Sequence, residues 1–254
     1  MQITFLGTGT SCGVPVIGCQ CEVCQSTDPK DKRLRCSILV ETEQTRLLVD
    51  IGPDFRQQIL PQPFRRIDGI LVTHSHYDHV GGMDDIRPYC QFGEINVYAD
   101  PIARKSMLQM LPYCFAEHRY PGVPAIGLHE IHAGEQMRIG DIDILPIEVM
   151  HGKLPILAYR FGRRFAYITD MKTMADDQMA LLEGVDTLVV NALRFDKPHH
   201  SHQLVDDAVA FSRRVGARRT LLTHMCHDVG LHKEANRKLP SGVELAYDGQ
   251  VLTF

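Results

Sequence analysis

No stretch of this sequence is long and apolar enough to cross a bilayer as a helix. Its amino terminus, Met1-Gln2-Ile3-Thr4-Phe5-Leu6-Gly7, lacks the basic segment, apolar segment and small-residue cleavage site of an export signal, so a cytoplasmic protein with no membrane partner is expected. An excess of positive charge is missing as well. Lys and Arg number 27 against 31 Asp and Glu, a formal net charge of −4, which gives no overall attraction to a long nucleic acid. Local basic groups could still hold one small phosphate. There is also no Pro/Ser-rich linker, long charge run or short-period repeat to divide the 254 residues, so 1–254 is expected to be one domain, with a homodimer left open. The 44% hydrophobic content supports a sizeable core.

Against that ordinary background, one stretch is dense in metal-binding side chains. Val72-Thr73-His74-Ser75-His76-Tyr77-Asp78-His79-Val80-Gly81-Gly82 places three imidazoles and a carboxylate within six positions, directly after the apolar run Gly69-Ile70-Leu71-Val72. The run reads as a buried strand, and the two glycines let the chain break away, which puts the donors on a strand-to-helix turn. There His74 and His76 can converge on one cation while Asp78 and His79 converge on a second. Mixed imidazole and carboxylate donors suit Zn, Mn or Fe and argue against Ca or Mg. Three of the eight cysteines, Cys19, Cys21 and Cys24, form a separate C-x-C-x₂-C knuckle, one donor short of a closed tetrahedral zinc site. His227 is the available fourth donor, and Cys226 is its rival.

The remaining elements read as hairpins separated by helices. Gln2 to Leu6 alternates like an edge strand and enters the glycine loop Gly7-Thr8-Gly9-Thr10-Ser11. Cys36 to Thr42 pairs with Arg46 to Asp50, and Asp50 at the strand tip is a candidate to orient a ligating histidine. Further hairpins are expected at 136–149 and 158–169, a strand at 187–191, a helix from Gln203 to Val215 and a strand at 218–223. An irregular loop is expected over 112–125, and a closing hairpin at 244–254 through Asp248-Gly249. Two successive halves of this kind imply an α/β sandwich: two mixed sheets face to face, helices outside, and donors clustered at one sheet edge.

The motif H-x-H-x-D-H is that of the metallo-β-lactamase superfamily. Together with L-G-T-G-T-S at 6–11, the cysteine knuckle and H-x-x-H at 224–227, the chain resembles its cyclic-phosphate phosphodiesterase branch. The resemblance implies the αββα sandwich of that superfamily and a dinuclear active site holding two divalent metals, Mn or Zn. Its ligands would be His74, His76, Asp78, His79, His151, Asp170 and His224, with Asp170 as the bridge. It further implies a structural zinc, His202 as a catalytic histidine that binds no metal, and Asp78 as the group orienting the nucleophile. The expected reaction is hydrolysis of a small cyclic phosphodiester. Rival readings are a tRNA 3′-processing endonuclease, which the charge disfavours, and a non-hydrolytic accessory protein like that of pyrroloquinoline quinone biosynthesis, whose relatives depart from the full histidine motif.

Overall fold

A computed structural model describes residues 1–118 and 120–254. Arg119, in the loop expected over 112–125, lies outside the described residues. The first half supplies strands β1 (Gln2–Gly7), β2 (Ser37–Glu41), β3 (Arg46–Val49), β4 (Gly69–Leu71), β5 (Ile95–Ala99) and β6 (Ile126–Glu130). The second supplies β7 (Met137–Ile139), β8 (Ile142–His151), β9 (Leu154–Phe161), β10 (Phe165–Ile168), β11 (Thr187–Asn191), β12 (Arg219–Thr223) and β13 (Val243–Leu245). The last strand, β14 (Val251–Thr253), returns to the first sheet. Two seven-stranded sheets result, ordered β14-β1-β2-β3-β4-β5-β6 and β13-β12-β11-β10-β9-β8-β7.

Each sheet joins an antiparallel part, suited to short hairpins, to a parallel part whose crossovers carry helices. Strand β4 is buried throughout, which explains why it reads as an unbroken apolar run, whereas β8 alternates buried and exposed positions along much of its length. Ile3, Phe5, Val40, Leu47 and Leu71 meet Tyr159, Phe161, Phe165, Tyr167 and Val189 in the layer between the sheets. A small helix α1 (Glu22–Gln25) belongs to the cysteine knuckle. Helices α2 (Phe55–Ile59), α3 (Tyr77–Val80) and α4 (Pro101–Met110), with a 3-10 segment at Met83–Phe92, cover the outer face of the first sheet. Helices α5 (Asp176–Ala180), α6 (Val205–Val215) and α7 (His232–Lys238) lie along the second, where side chains of α6 and α7 join its outer core. This is the expected sandwich. Among the described residues no helix is long and apolar enough to cross a membrane.

Two expectations are corrected. Strand β1 is not an edge: it lies between β14 and β2, and Thr4, which the alternation would expose, is 4% exposed. The segment 244–254 is not a hairpin either. β13 runs parallel to β12 in one sheet and β14 antiparallel to β1 in the other, so Asp248-Gly249 sits in a crossing between the sheets. Long-range partners override the local turn signal, because the Asp248 carboxylate accepts hydrogen bonds from Thr8 Oγ1 and from the Leu34 backbone N–H, both at 2.7 Å. Burial pushes the Asp248 pKa up to about 6.

Candidate metal centres

Strands β3, β4, β8, β10, β11 and β12 all end at one edge of the sandwich, and each is followed there by a polar side chain of interest. Three of the exits need unusual backbone. Asp50, Asp170 and His224, just after β3, β10 and β12, have φ of 61°, 57° and 56°, in the left-handed region that costs energy for any residue with a Cβ. Surrounding contacts hold them there. The Asn191 side-chain amide accepts from the Met171 N–H at 2.8 Å and donates to the Met171 carbonyl at 2.9 Å, which clamps the peptide beside Asp170. Tyr159 O–H donates to the Val72 carbonyl at 2.6 Å, and the Leu157 N–H to that of Thr73 at 2.9 Å, so the second sheet pins the start of the histidine turn.

The donors gather into two groups that share a carboxylate. His74, His76 and His151 form one, and Asp78, His79 and His224 the other, with the ligand atoms of each within 4.8 Å of one another. Asp170 reaches both: its two oxygens are 3.2 Å from His79 Nε2 and 3.1 Å from His224 Nε2 in the second group, and it also lies within 4.8 Å of donors of His74 and His151 in the first. His79 Nε2 is also 3.3 Å from Asp78 Oδ2. The Nε2 atoms of His79 and His224 are buried and make no hydrogen bond, an expensive arrangement unless something else satisfies them. Donors 2.0–2.1 Å from a tetrahedral cation lie about 3.3 Å from each other, close to these separations. The residues therefore fit a pair of divalent cations.

Asp50 and two main-chain carbonyls fix which nitrogen three of the rings present. Asp50 Oδ2 lies 2.7 Å from His79 Nδ1, and it also accepts from Thr73 Oγ1 at 2.8 Å, while Oδ1 accepts from the Thr73 N–H at 2.8 Å. The Thr73 hydroxyl, having donated to Asp50, accepts from His74 Nδ1 at 3.0 Å. His151 Nδ1 faces the carbonyls of Asp170 and Ser201 at 2.7 and 3.1 Å. Three rings are thus left with Nε2 as the available ligand atom. Asp50 is not a helix cap: Asp54 holds the N-cap position of α2, and its carboxylate is bonded to Arg35. Thr73 and Asn191 escaped the sequence reading, since a Thr before the motif and an Asn ending a strand are unremarkable until their partners are seen. Asp50→Asn should weaken metal binding about 10- to 100-fold. Competition with a chromophoric chelator measures it, and an unchanged affinity would reduce Asp50 to a backbone support.

Electrostatics follow from burial and charge. Burial alone would raise the pKa of Asp170, but His224, His79 and His74 hold it well below the usual carboxylate range. Burial would lower that of His79, yet Asp170, Asp50 and Asp78 outweigh it and keep it well above the ordinary value. His202 goes the other way: burial, then repulsion from His224, pushes it down to about 3. Its Nδ1 is 3.7 Å from Asp170 Oδ1, and its ring stacks on that of His224 at 4.8 Å. His199 and His200 stand farther out, their rings 4.4 Å apart.

The knuckle closes as a second, separate group. Sγ of Cys19, Cys21 and Cys24 lie 3.3, 3.2 and 3.5 Å from His227 Nδ1. Cys226 is buried elsewhere and is no member of this group. Four donors without an open position suit a structural zinc.

A profile of the beta-lactamase superfamily domain matches residues 45–225. The crystal structure of a new diphosphatase from the PhnP family superposes with a TM-score of 0.91 at 38% identity, covering 100% of this chain and 97% of that one. Zn²⁺-bound PqqB from Methylobacterium extorquens shares the fold, with a TM-score of 0.84 at 19% identity and full coverage of both chains. Among curated relatives, an octanoyltransferase of Porphyromonas gingivalis is 40% identical over 250 residues, 98% of this chain but 51% of that protein. The chain thus spans about half the length of this relative, as it does of a ribonuclease Z from Methanopyrus kandleri, of which 45% is matched. Fold and donor set together define a metallo-β-lactamase-type scaffold with a two-centre metal cradle. The chain belongs to the metallo-β-lactamase superfamily and, within it, to the PhnP family.

Proposed function

We propose that this chain is a dinuclear metal-dependent phosphodiesterase that hydrolyses a small, cyclic phosphodiester, with Mn or Zn in the cradle and a structural zinc in the knuckle. The observation that carries this reading is the pair of donor groups joined through Asp170, with His202 at their margin. A cavity of about 620 Å³ opens beside them, with His76 and His151 in its lining. Its other walls include Lys153, Lys172, Thr173 and His200, and no carboxylate. A positive cavity of this size suits a small anion better than a polymer. The diphosphatase relative supports chemistry at phosphorus, whereas the octanoyltransferase name is said of a protein about half of which has no counterpart here.

When bound, the two cations would activate water at neutral pH and offset negative charge developing on the phosphoryl oxygens. The protein's own side chains supply the rest. Asp170 lies beside members of both donor groups, His79 and His224 on one side and His74 and His151 on the other, and would place its charge where two cations would otherwise repel. Asp78, at the rim and partly exposed, is placed to accept a hydrogen bond from the nucleophile. His202, beside His151 and Asp170 at the margin of the donor groups, would direct a ring N–H toward the departing oxygen. The test is turnover of a panel of small cyclic and linear phosphodiesters by metal-stripped protein before and after Mn²⁺ or Zn²⁺ is restored. Activity that returns only with metal is expected. Metal-loaded protein that cleaves none of the panel would defeat the reading.

A further inference from the structure

His202 has no hydrogen bond at Nδ1, which is buried, and its ring meets its neighbours only through ring contacts, stacked on His224 and tilted against His151 and His199. Its position is therefore set by the backbone that carries it. Three carbonyls in succession anchor that backbone. Ser201 O faces His151 Nδ1 at 3.1 Å, His202 O accepts from Lys172 Nζ at 3.0 Å, and Gln203 O accepts from the Leu193 N–H at 3.0 Å. The first partner belongs to the metal cradle and the last is main chain. Only Lys172 is a side chain outside the donor groups.

Lys172 is itself bolted down. Its backbone N–H donates to the Met150 carbonyl at 2.7 Å, and the Thr173 N–H bonds the Met150 carbonyl while the Met150 N–H bonds that of Thr173. Met150 directly precedes His151, and Lys172 lies two residues after Asp170. The lysine thus spans from the loop that carries Asp170, through a main-chain junction beside His151, to the loop that carries His202. We propose that Lys172 is a positioning residue: its ammonium fixes the His202 carbonyl and so sets the distance between the His202 ring and the reacting phosphorus. The proposal rests on the catalytic role given to His202 above. A lysine that served only to attract the substrate's charge would act on affinity; this strut acts on the step in which the leaving oxygen departs. Displacing a catalytic group by about 1 Å can cost on the order of 10²-fold in rate.

Lys172→Met and Lys172→Arg, both metal-loaded, test it. The first readout needs no substrate: the rate at which diethyl pyrocarbonate modifies His202, followed by mass spectrometry of its peptide. In Lys172→Met that rate should rise at least about threefold, with metal content and melting temperature as in the wild type. The second readout is kinetic. Lys172→Met should lose about tenfold or more in kcat on an alkyl diester and several times less on an aryl diester with a good leaving group, with any rise in KM, from the cation lost from the cavity wall, the same for both. Lys172→Arg keeps a donor for the carbonyl and should recover most of both. An unaltered modification rate, a loss confined to KM, loss of metal, or no recovery with arginine would each overturn the proposal. If the wild type cleaves no diester, the proposed function fails, and the modification rate still decides whether Lys172 holds His202.

Discussion

His202→Ala should keep its metals and its fold and lose about 10²- to 10⁴-fold in kcat on diesters with poor alkoxide leaving groups. The loss on an activated aryl diester should be much smaller, because a departing phenolate builds up less charge for the ring N–H of His202 to stabilise by a hydrogen bond. The geometry supports this split. The ring stacks on His224 and approaches Asp170 to 3.7 Å without joining either of the two sets that share that carboxylate. It does fall within 4.8 Å of His151 and Asp170 in a third grouping, so a role as ligand is a concrete competitor. Metal analysis of the purified variant separates the two. Loss of one equivalent would make His202 a ligand, and equal kinetic losses on both substrate classes would make it a phosphate-positioning group.

Cys21→Ser should remove one zinc per chain and destabilise the protein severely. The reason is the small apolar cluster beneath the knuckle. Its buried members are Val14, Val23 and Cys24, with Val16, Cys19 and Leu231 half-buried against them, far too little to order some fifteen residues against their conformational entropy. Apparent binding energies of structural zinc in small peptides run to about 10–16 kcal/mol, so even a fraction of that dominates the knuckle. The Cys21 sulfur is primed for a cation, its thiol drawn down to about 6, chiefly by the Cys24 backbone N–H, whereas burial raises Cys24 to about 11. Soluble yield, zinc content and melting temperature measure the outcome. Wild-type values for all three would remove the zinc assignment.

The donors were legible in the sequence because metal chemistry restricts them to few residue types and the motif packs them closely. His74, His76, Asp78 and His79 do converge, and His151, Asp170 and His224, named from resemblance, fall within the same cradle. Strand β4 was legible because a strand buried on both faces must be apolar throughout. What failed was decided at long range. Asp248-Gly249 has the composition of a tight hairpin, but the carboxylate is claimed by Thr8 and Leu34, more than two hundred residues away in sequence. Strand β6, mostly half-exposed or exposed, and helix α7, with only His232 and Ala235 buried, lack the apolar periodicity that reveals an element. Lys172 and Asn191 bond backbone groups, and Thr73 bonds the side chains of Asp50 and His74, partners that leave no mark on residue spacing.

The chain first passes from one sheet to the other over 131–136, and the donor groups straddle that connection. His74 and His76 come from before it and His151 from after; Asp78 and His79 from before and His224 from after; the three cysteines from before and His227 from after. With Asp170 counted, the active-site cradle draws four donors from the first half and three from the second, and the knuckle three and one. Severed at that connection, neither fragment would own a complete set, and divalent cations would become the glue for reassembly. Complementation of the two fragments would then depend on metal even though most of the surface they share is hydrocarbon.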